Sequence, residues 1–127
     1  MSTMKLEIVT PHGAIYDGDV TVATLCGKEG EFGVLPGHAA VVSLLDAGLI
    51  TATTANNKEI SVAINSGYVK VSEEKVTAIV DGAVVVKDEE GVLSDNLEEA
   101  KKLLKSAQSS DTTIATAISK VESIKKW

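Results

Sequence analysis

From Lys5 to Val86 the apolar residues come in short runs rich in β-branched side chains, alternating with period two or nearly continuous, and turn-forming residues interrupt them again and again. That rhythm is the signature of an antiparallel β-sandwich or barrel. The runs are Leu6 to Thr10, Ala14 to Tyr16, Val20 to Leu25, Ala39 to Leu45, Leu49 to Ala55, Ile60 to Asn65, Tyr68 to Val71, Val76 to Val80 and Ala83 to Val86. Pro11-His12-Gly13, Asp17-Gly18, Asn56-Asn57-Lys58, Ser66-Gly67, Ser72-Glu73-Glu74 and Asp81-Gly82 supply the turn chemistry between them. Ile60, Val62 and Ile64 alternate with Ser61 and Ala63, as a strand with one core-facing side requires.

Beyond Val86 the period changes. Lys87 to Gly91 is polar and charged and reads as a linker. Asp95, with Glu98 three positions on, forms a capping box that predicts a helix start. Leu97, Ala100, Leu104 and Ala107 then recur at helical spacing, widened by Leu103, with glutamates and lysines on the other faces. Ser109-Ser110-Asp111 breaks this stripe, and Ile114, Ala117, Ile118, Val121 and Ile124 begin a second. The expected fold is therefore α+β: an antiparallel β domain over residues 1–88, then a linker and an antiparallel two-helix hairpin over 89–127. Both stripes are narrow and rich in alanine, and isolated helices this short are marginal in water. The hairpin needs a surface to lie on and is suited to exchanging one surface for another.

A chain of 127 residues with 44% apolar content can bury a real core. No apolar run approaches the roughly 18 residues of a membrane span, and Met1 to Lys5 lead into a strand pattern rather than a signal peptide, so direct membrane insertion is not expected. Cys26 is the only cysteine; a disulfide within the chain and a multi-cysteine zinc site are both excluded, and its apolar neighbours make it a core residue. Twelve basic against eighteen acidic residues leave a net charge of −6, which opposes binding to nucleic acid. All twelve basic residues are lysines, so no guanidinium is present to grip a phosphate through two parallel hydrogen bonds.

The residues offer no catalytic constellation. Gly27-Lys28-Glu29-Gly30-Glu31-Phe32-Gly33 lacks the Gly-Lys-Ser/Thr ending of a phosphate loop, precedes no helical pattern and carries two carboxylates. It reads as a loop whose glycines take special backbone angles, or as one shaped for a protein partner. His12 and His38 share no metal-ligand spacing, and neither has a visible nucleophile or orienting acid. No cofactor or metal site is expected. From Asn96 onward six lysines (Lys101, Lys102, Lys105, Lys120, Lys125 and Lys126) face four acidic residues, so a basic tail follows an acidic domain and suits an acidic partner surface. Trp127 ends the chain as a terminal aromatic, either frayed or an anchor to a partner.

Leu6-Glu7-Ile8-Val9-Thr10-Pro11, Ile15-Tyr16-Asp17-Gly18 and above all Gly30-Glu31-Phe32-Gly33-Val34-Leu35-Pro36-Gly37-His38-Ala39 carry a family likeness, extended by Gly48-Leu49-Ile50 and Gly67-Tyr68-Val69-Lys70-Val71. The chain resembles, over nearly its whole length, the epsilon subunit of F-type ATP synthases, the counterpart of the mitochondrial delta subunit. The resemblance implies a sandwich of about ten strands with a helical hairpin behind it, and a non-catalytic place in the rotor of a proton-translocating enzyme. It implies a peripheral position on the cytoplasmic face of the bacterial inner membrane. Gly30, Glu31 and Phe32 would meet the polar loops of the c ring, and His38 would lie near the gamma subunit. The tail lysines would meet the beta and alpha subunits and restrain hydrolysis. An alternative within the resemblance is a nucleotide-sensing module with ATP at the tail. The motif some members use for ATP reads here Asp95-Asn96-Leu97-Glu98-Glu99-Ala100, with Asn96 for its Asp and Glu99 for its Arg, which disfavours a nucleotide site. A third reading, a small β-barrel enzyme using His38, lacks partner residues.

Overall fold

The structure, a computed structural model, describes residues 2–87, 97–107 and 111–125. Nine strands occupy the first part: β1 (Met4–Thr10), β2 (Gly13–Gly27), β3 (Gly30–Val34), β4 (Val41–Leu45), β5 (Gly48–Thr54), β6 (Glu59–Ile64), β7 (Gly67–Val71), β8 (Lys75–Val80) and β9 (Ala83–Lys87). Two helices follow, α1 (Leu97–Lys105) and α2 (Asp111–Lys125). The boundary expected at residue 88, the Asp95 cap, the Ser109-Ser110 turn, Lys126 and Trp127 lie outside the described residues.

The sheet folds on itself through β2. Its first half pairs with β1, and its second half pairs with β3 on one edge and β5 on the other. The pairing order runs β1-β8-β7-β4-β2-β5-β6-β9, all antiparallel except β1 with β8. Because one strand serves both layers of the sandwich, nine strands fill an architecture expected to hold about ten. Between the layers lies the main core, with Leu6, Ile8, Leu25, Ile50, Ile60, Ile64 and Val69 fully or almost fully buried.

Two local expectations are corrected. Asp17-Gly18 is no turn but lies inside β2, where Gly18 leaves room for the Tyr16 ring: a Cβ there would stand 2.5 Å from the Tyr16 hydroxyl. The glycine-rich segment is no open loop either. Gly27 and Gly30 pair across a two-residue turn, Lys28-Glu29, and residues 30–34 continue as β3. Gly30 takes φ +133, and a Cβ on Gly27 would stand 2.6 Å from the Gly30 carbonyl oxygen, so glycine is needed at both corners.

Strand β6 is buried on both sides. Ile60, Val62 and Ile64 face the main core, while Ala63 joins Ala47, Leu49, Val86, Ala100, Leu104, Ala117 and Val121 in a second one. This second core is the docking site of the hairpin, and small residues on both sides let the helices approach the sheet. Ala100 and Leu104 of α1 and Ala117 and Val121 of α2 are the residues of the two helical stripes that reach it, flanked by Leu97, Ala107 and Ile118. Ser61, on the same face as Ala63, is fully buried, and its hydroxyl has no partner among the described residues. A buried hydroxyl without a partner is destabilising, so Ser61→Ala is expected to raise the unfolding free energy by about 1 kcal/mol, read as a higher urea midpoint at unchanged m-value.

Candidate functional site: two outer faces and one shared corner

Register across the strands places side chains in lateral rows. On the layer formed by β5, β6 and β9, Leu49, Ala63 and Val84 stand side by side on the outer face, and the helices cover them. On the opposite layer Leu44 of β4 pairs with Tyr68 of β7, Tyr68 with Ile79 of β8, and Ile79 with Val9 of β1. This second row is left uncovered by the described residues. Leu44 is 62% exposed, Tyr68 42% and Ile79 37%, with Val42 beside them at 67% and Leu35 in the β3–β4 connection at 61%. A contiguous band of exposed apolar side chains on a folded sheet marks a surface for a partner.

At one end of the sandwich the β2–β3 turn meets the hairpin. Alternation along β3 turns Phe32 inward, where it packs against the main core opposite Leu25, and turns Glu31 outward opposite Cys26. Of the three residues expected to meet the c ring, Gly30 and Glu31 are exposed and Phe32 is half-buried. Glu31 does not stand free: its Oε2 accepts a 2.6 Å hydrogen bond from the Lys120 Nζ of α2. The two residues line a cleft of about 270 Å³ that also includes Cys26, Asp46 and Thr116. Burial pushes the Cys26 thiol up to about 12, the neighbouring Asp46 and Glu31 adding to the rise and Lys120 opposing it; the thiol stays protonated and inert at neutral pH.

The other sequence-selected residues fall as follows. His38 is half-buried in the β3–β4 connection, and its Nδ1 donates to the Ala39 carbonyl at 2.7 Å. Ser43 donates to the Leu44 carbonyl, and Asp46 accepts from the Ala47 amide. Lys101 bridges Glu98 (3.6 Å) and Glu122 (3.4 Å), fastening α1 to α2. Lys102 and Lys105 are exposed on α1, as is Glu99 where the nucleotide motif would place its arginine. Among the described residues no group of His, Cys, Asp and Glu side chains converges as a metal site, and no helix is long and apolar enough to cross a membrane.

The uncovered row was hidden in the sequence. Ala39 to Leu45 is a nearly continuous apolar run, and such a run is silent about which of its faces is exposed. Only Tyr68 alternating with Lys70, both on the face opposite Val69 and Val71, hinted at a solvent-facing aromatic.

A family profile described as "ATP synthase, Delta/Epsilon chain, beta-sandwich domain" matches residues 3–86. The chain belongs to this family. Among its relatives is the ATP synthase epsilon chain of Sulfurovum sp. (strain NBC37-1), 61% identical over 99% of this chain and 98% of that one. The ATP synthase epsilon chain of Helicobacter pylori (strain G27) is 43% identical over 98% of this chain and all of the relative. The match thus extends through the helices as well as the sandwich, and this epsilon-type chain is a subunit of an ATP synthase. A chain of the Euglena gracilis mitochondrial ATP synthase, in a cryo-EM structure of OSCP, F1 and c-ring, shares its fold with a TM-score of 0.64 and 23% identity. It covers 98% of this chain and 76% of the Euglena chain.

Proposed function

We propose that this chain is a non-catalytic central-stalk subunit of a proton-translocating F-type ATP synthase, peripheral on the cytoplasmic face of the bacterial inner membrane, and that it couples proton flow to ATP synthesis. The observation that carries the reading is the uncovered Leu44-Tyr68-Ile79-Val9 row, an apolar surface ready-made for the gamma subunit. Val42 widens it, and His38 and Leu35 border it along the chain. Gly30 and Glu31, at the hairpin turn, form the end that meets the polar loops of the c ring. Phe32 supports that end from within rather than touching the ring.

The helices act as the regulatory piece, with Lys102 and Lys105 exposed for the acidic segments of the beta and alpha subunits. Released from the sandwich, they restrain ATP hydrolysis. Reconstitution tests both assignments: a complex is assembled with the full chain, with a chain ending at Lys87, or without the chain. Synthesis is expected with the first two and impaired in the third, and hydrolysis is expected to be faster with the shortened chain than with the full one. Equal hydrolysis by the first two complexes would remove the inhibitory role. Undiminished synthesis without the chain would sink the coupling role.

A further inference from the structure

The two residue sets assigned to separate partners touch one another. Glu31 belongs to the end of the sandwich assigned to the c ring, and Lys120 belongs to the tail assigned to the catalytic subunits; here each occupies the other. We propose that the Glu31–Lys120 pair is a latch that couples docking to tail release: a cationic group of the rotor that takes Glu31 displaces Lys120 and loosens α2, and a departing α2 frees Glu31 for that group. The inference rests on the reading above that Glu31 docks the chain.

The geometry supports this in three ways. Glu31 is on edge strand β3, on the same outer side as Cys26, so its carboxylate points to α2 and also to solvent at the end of the molecule, with about half of its side-chain surface exposed. Lys120 is equally exposed, and it lies one residue before Val121, which is buried in the second core, so its position reports whether α2 is seated. The seating itself is weak, because alanines supply four of the eight buried residues of that core. A modest ion pair therefore matters to the tail although it would matter little to the sandwich. A single carboxylate engaged by Lys120 has less capacity for a second ammonium, and linkage makes the penalty mutual: whatever factor docking takes from tail seating, tail seating takes from docking. For an exposed pair that factor is about two- to fivefold at low salt and shrinks as salt rises.

Two measurements on the full-length chain decide it. Hydrogen exchange is followed for α2 amides against β-domain amides in the wild type, Glu31→Gln, Lys120→Gln and the double variant. Each single variant is expected to raise α2 opening about two- to fivefold, and the double variant to do no more than either single one. Additive effects, or none, would overturn the latch. Affinity for a gamma–c-ring complex is then measured for the two single variants. Glu31→Gln is expected to weaken binding and Lys120→Gln to tighten it. Lys120→Gln unchanged while Glu31→Gln weakens would overturn the coupling and leave docking through Glu31 standing. Glu31→Gln unchanged would overturn the docking reading itself and the coupling with it, whatever exchange shows about the pair within the isolated chain.

Discussion

Leu44→Asp is expected to weaken binding of the chain to gamma at least about 30-fold while the sandwich stays folded. Leu44 is, with Val42, among the most exposed side chains of the apolar band, with Val42 beside it along β4 and Tyr68 across the sheet. Placing a charge on a large apolar side chain of such a band removes about 2 kcal/mol or more of binding free energy, since the carboxylate must be desolvated against apolar neighbours. At 62% exposure Leu44 contributes little to the core, so the cost to folding is the poor strand propensity of aspartate, about 1 kcal/mol at most. Binding measured by titration calorimetry beside a thermal melt separates the two effects. Lys58→Asp, in the β5–β6 turn, serves as a control whose affinity is expected to match the wild type. Wild-type affinity for Leu44→Asp would overturn the proposed gamma contact through this row.

The second large effect falls on stability. Gly67 opens β7, pairing with Val80 of β8 and Leu45 of β4. A Cβ added there would run into the Ile79 carbonyl oxygen, and would stand 2.8 Å from the Val80 Cα and 3.0 Å from its Cγ1. Two of these three are backbone atoms held in a ladder, so they cannot swing aside as a side chain would. Gly67→Ala is expected to cost about 3 kcal/mol and to lower Tm by roughly 10 °C. Tyr68 and Ile79 stand on either side of the clash, so affinity for gamma should fall as well. Gly33→Ala makes the contrast. A Cβ on Gly33 meets nothing closer than the Ala23 carbonyl at 4.0 Å, and its stability is expected to stay within about 0.5 kcal/mol of the wild type. An unchanged Tm for Gly67→Ala would refute the close packing of β7 on β8.

Much of the architecture was legible without coordinates because periodicity is local. The switch from period two to helical spacing after Val86 located the hairpin, and the residues counted into its two stripes, Ala100, Leu104, Ala117 and Val121, are the ones that seat it. The errors have equally physical origins. Asp17-Gly18 has the composition of a turn, but its glycine answers a packing demand from Tyr16, two residues away on the same face. The glycine-rich segment was read as a loop because glycine is a poor strand former; pairing with β2 and the inward contact of Phe32 override that propensity. The site was less legible than the fold. Glu31 and Lys120 were each selected from the sequence, but 89 residues separate them, and nothing in either neighbourhood foretold their contact.

By itself, then, the sequence determined the two-part layout, the absence of arginine that speaks against a phosphate grip, and the identity of the residues with chemistry to offer. Period and charge are properties of neighbours along the chain, and they survive without a fold. Tertiary structure alone decided which apolar rows are covered. Leu49-Ala63-Val84 and Leu44-Tyr68-Ile79-Val9 are alike as strand faces, and only the seating of the hairpin on the first leaves the second open. It also decided that the Glu31 carboxylate and the Lys120 ammonium meet, because the fold of β2 and β3 brings Glu31 to the helix that carries Lys120.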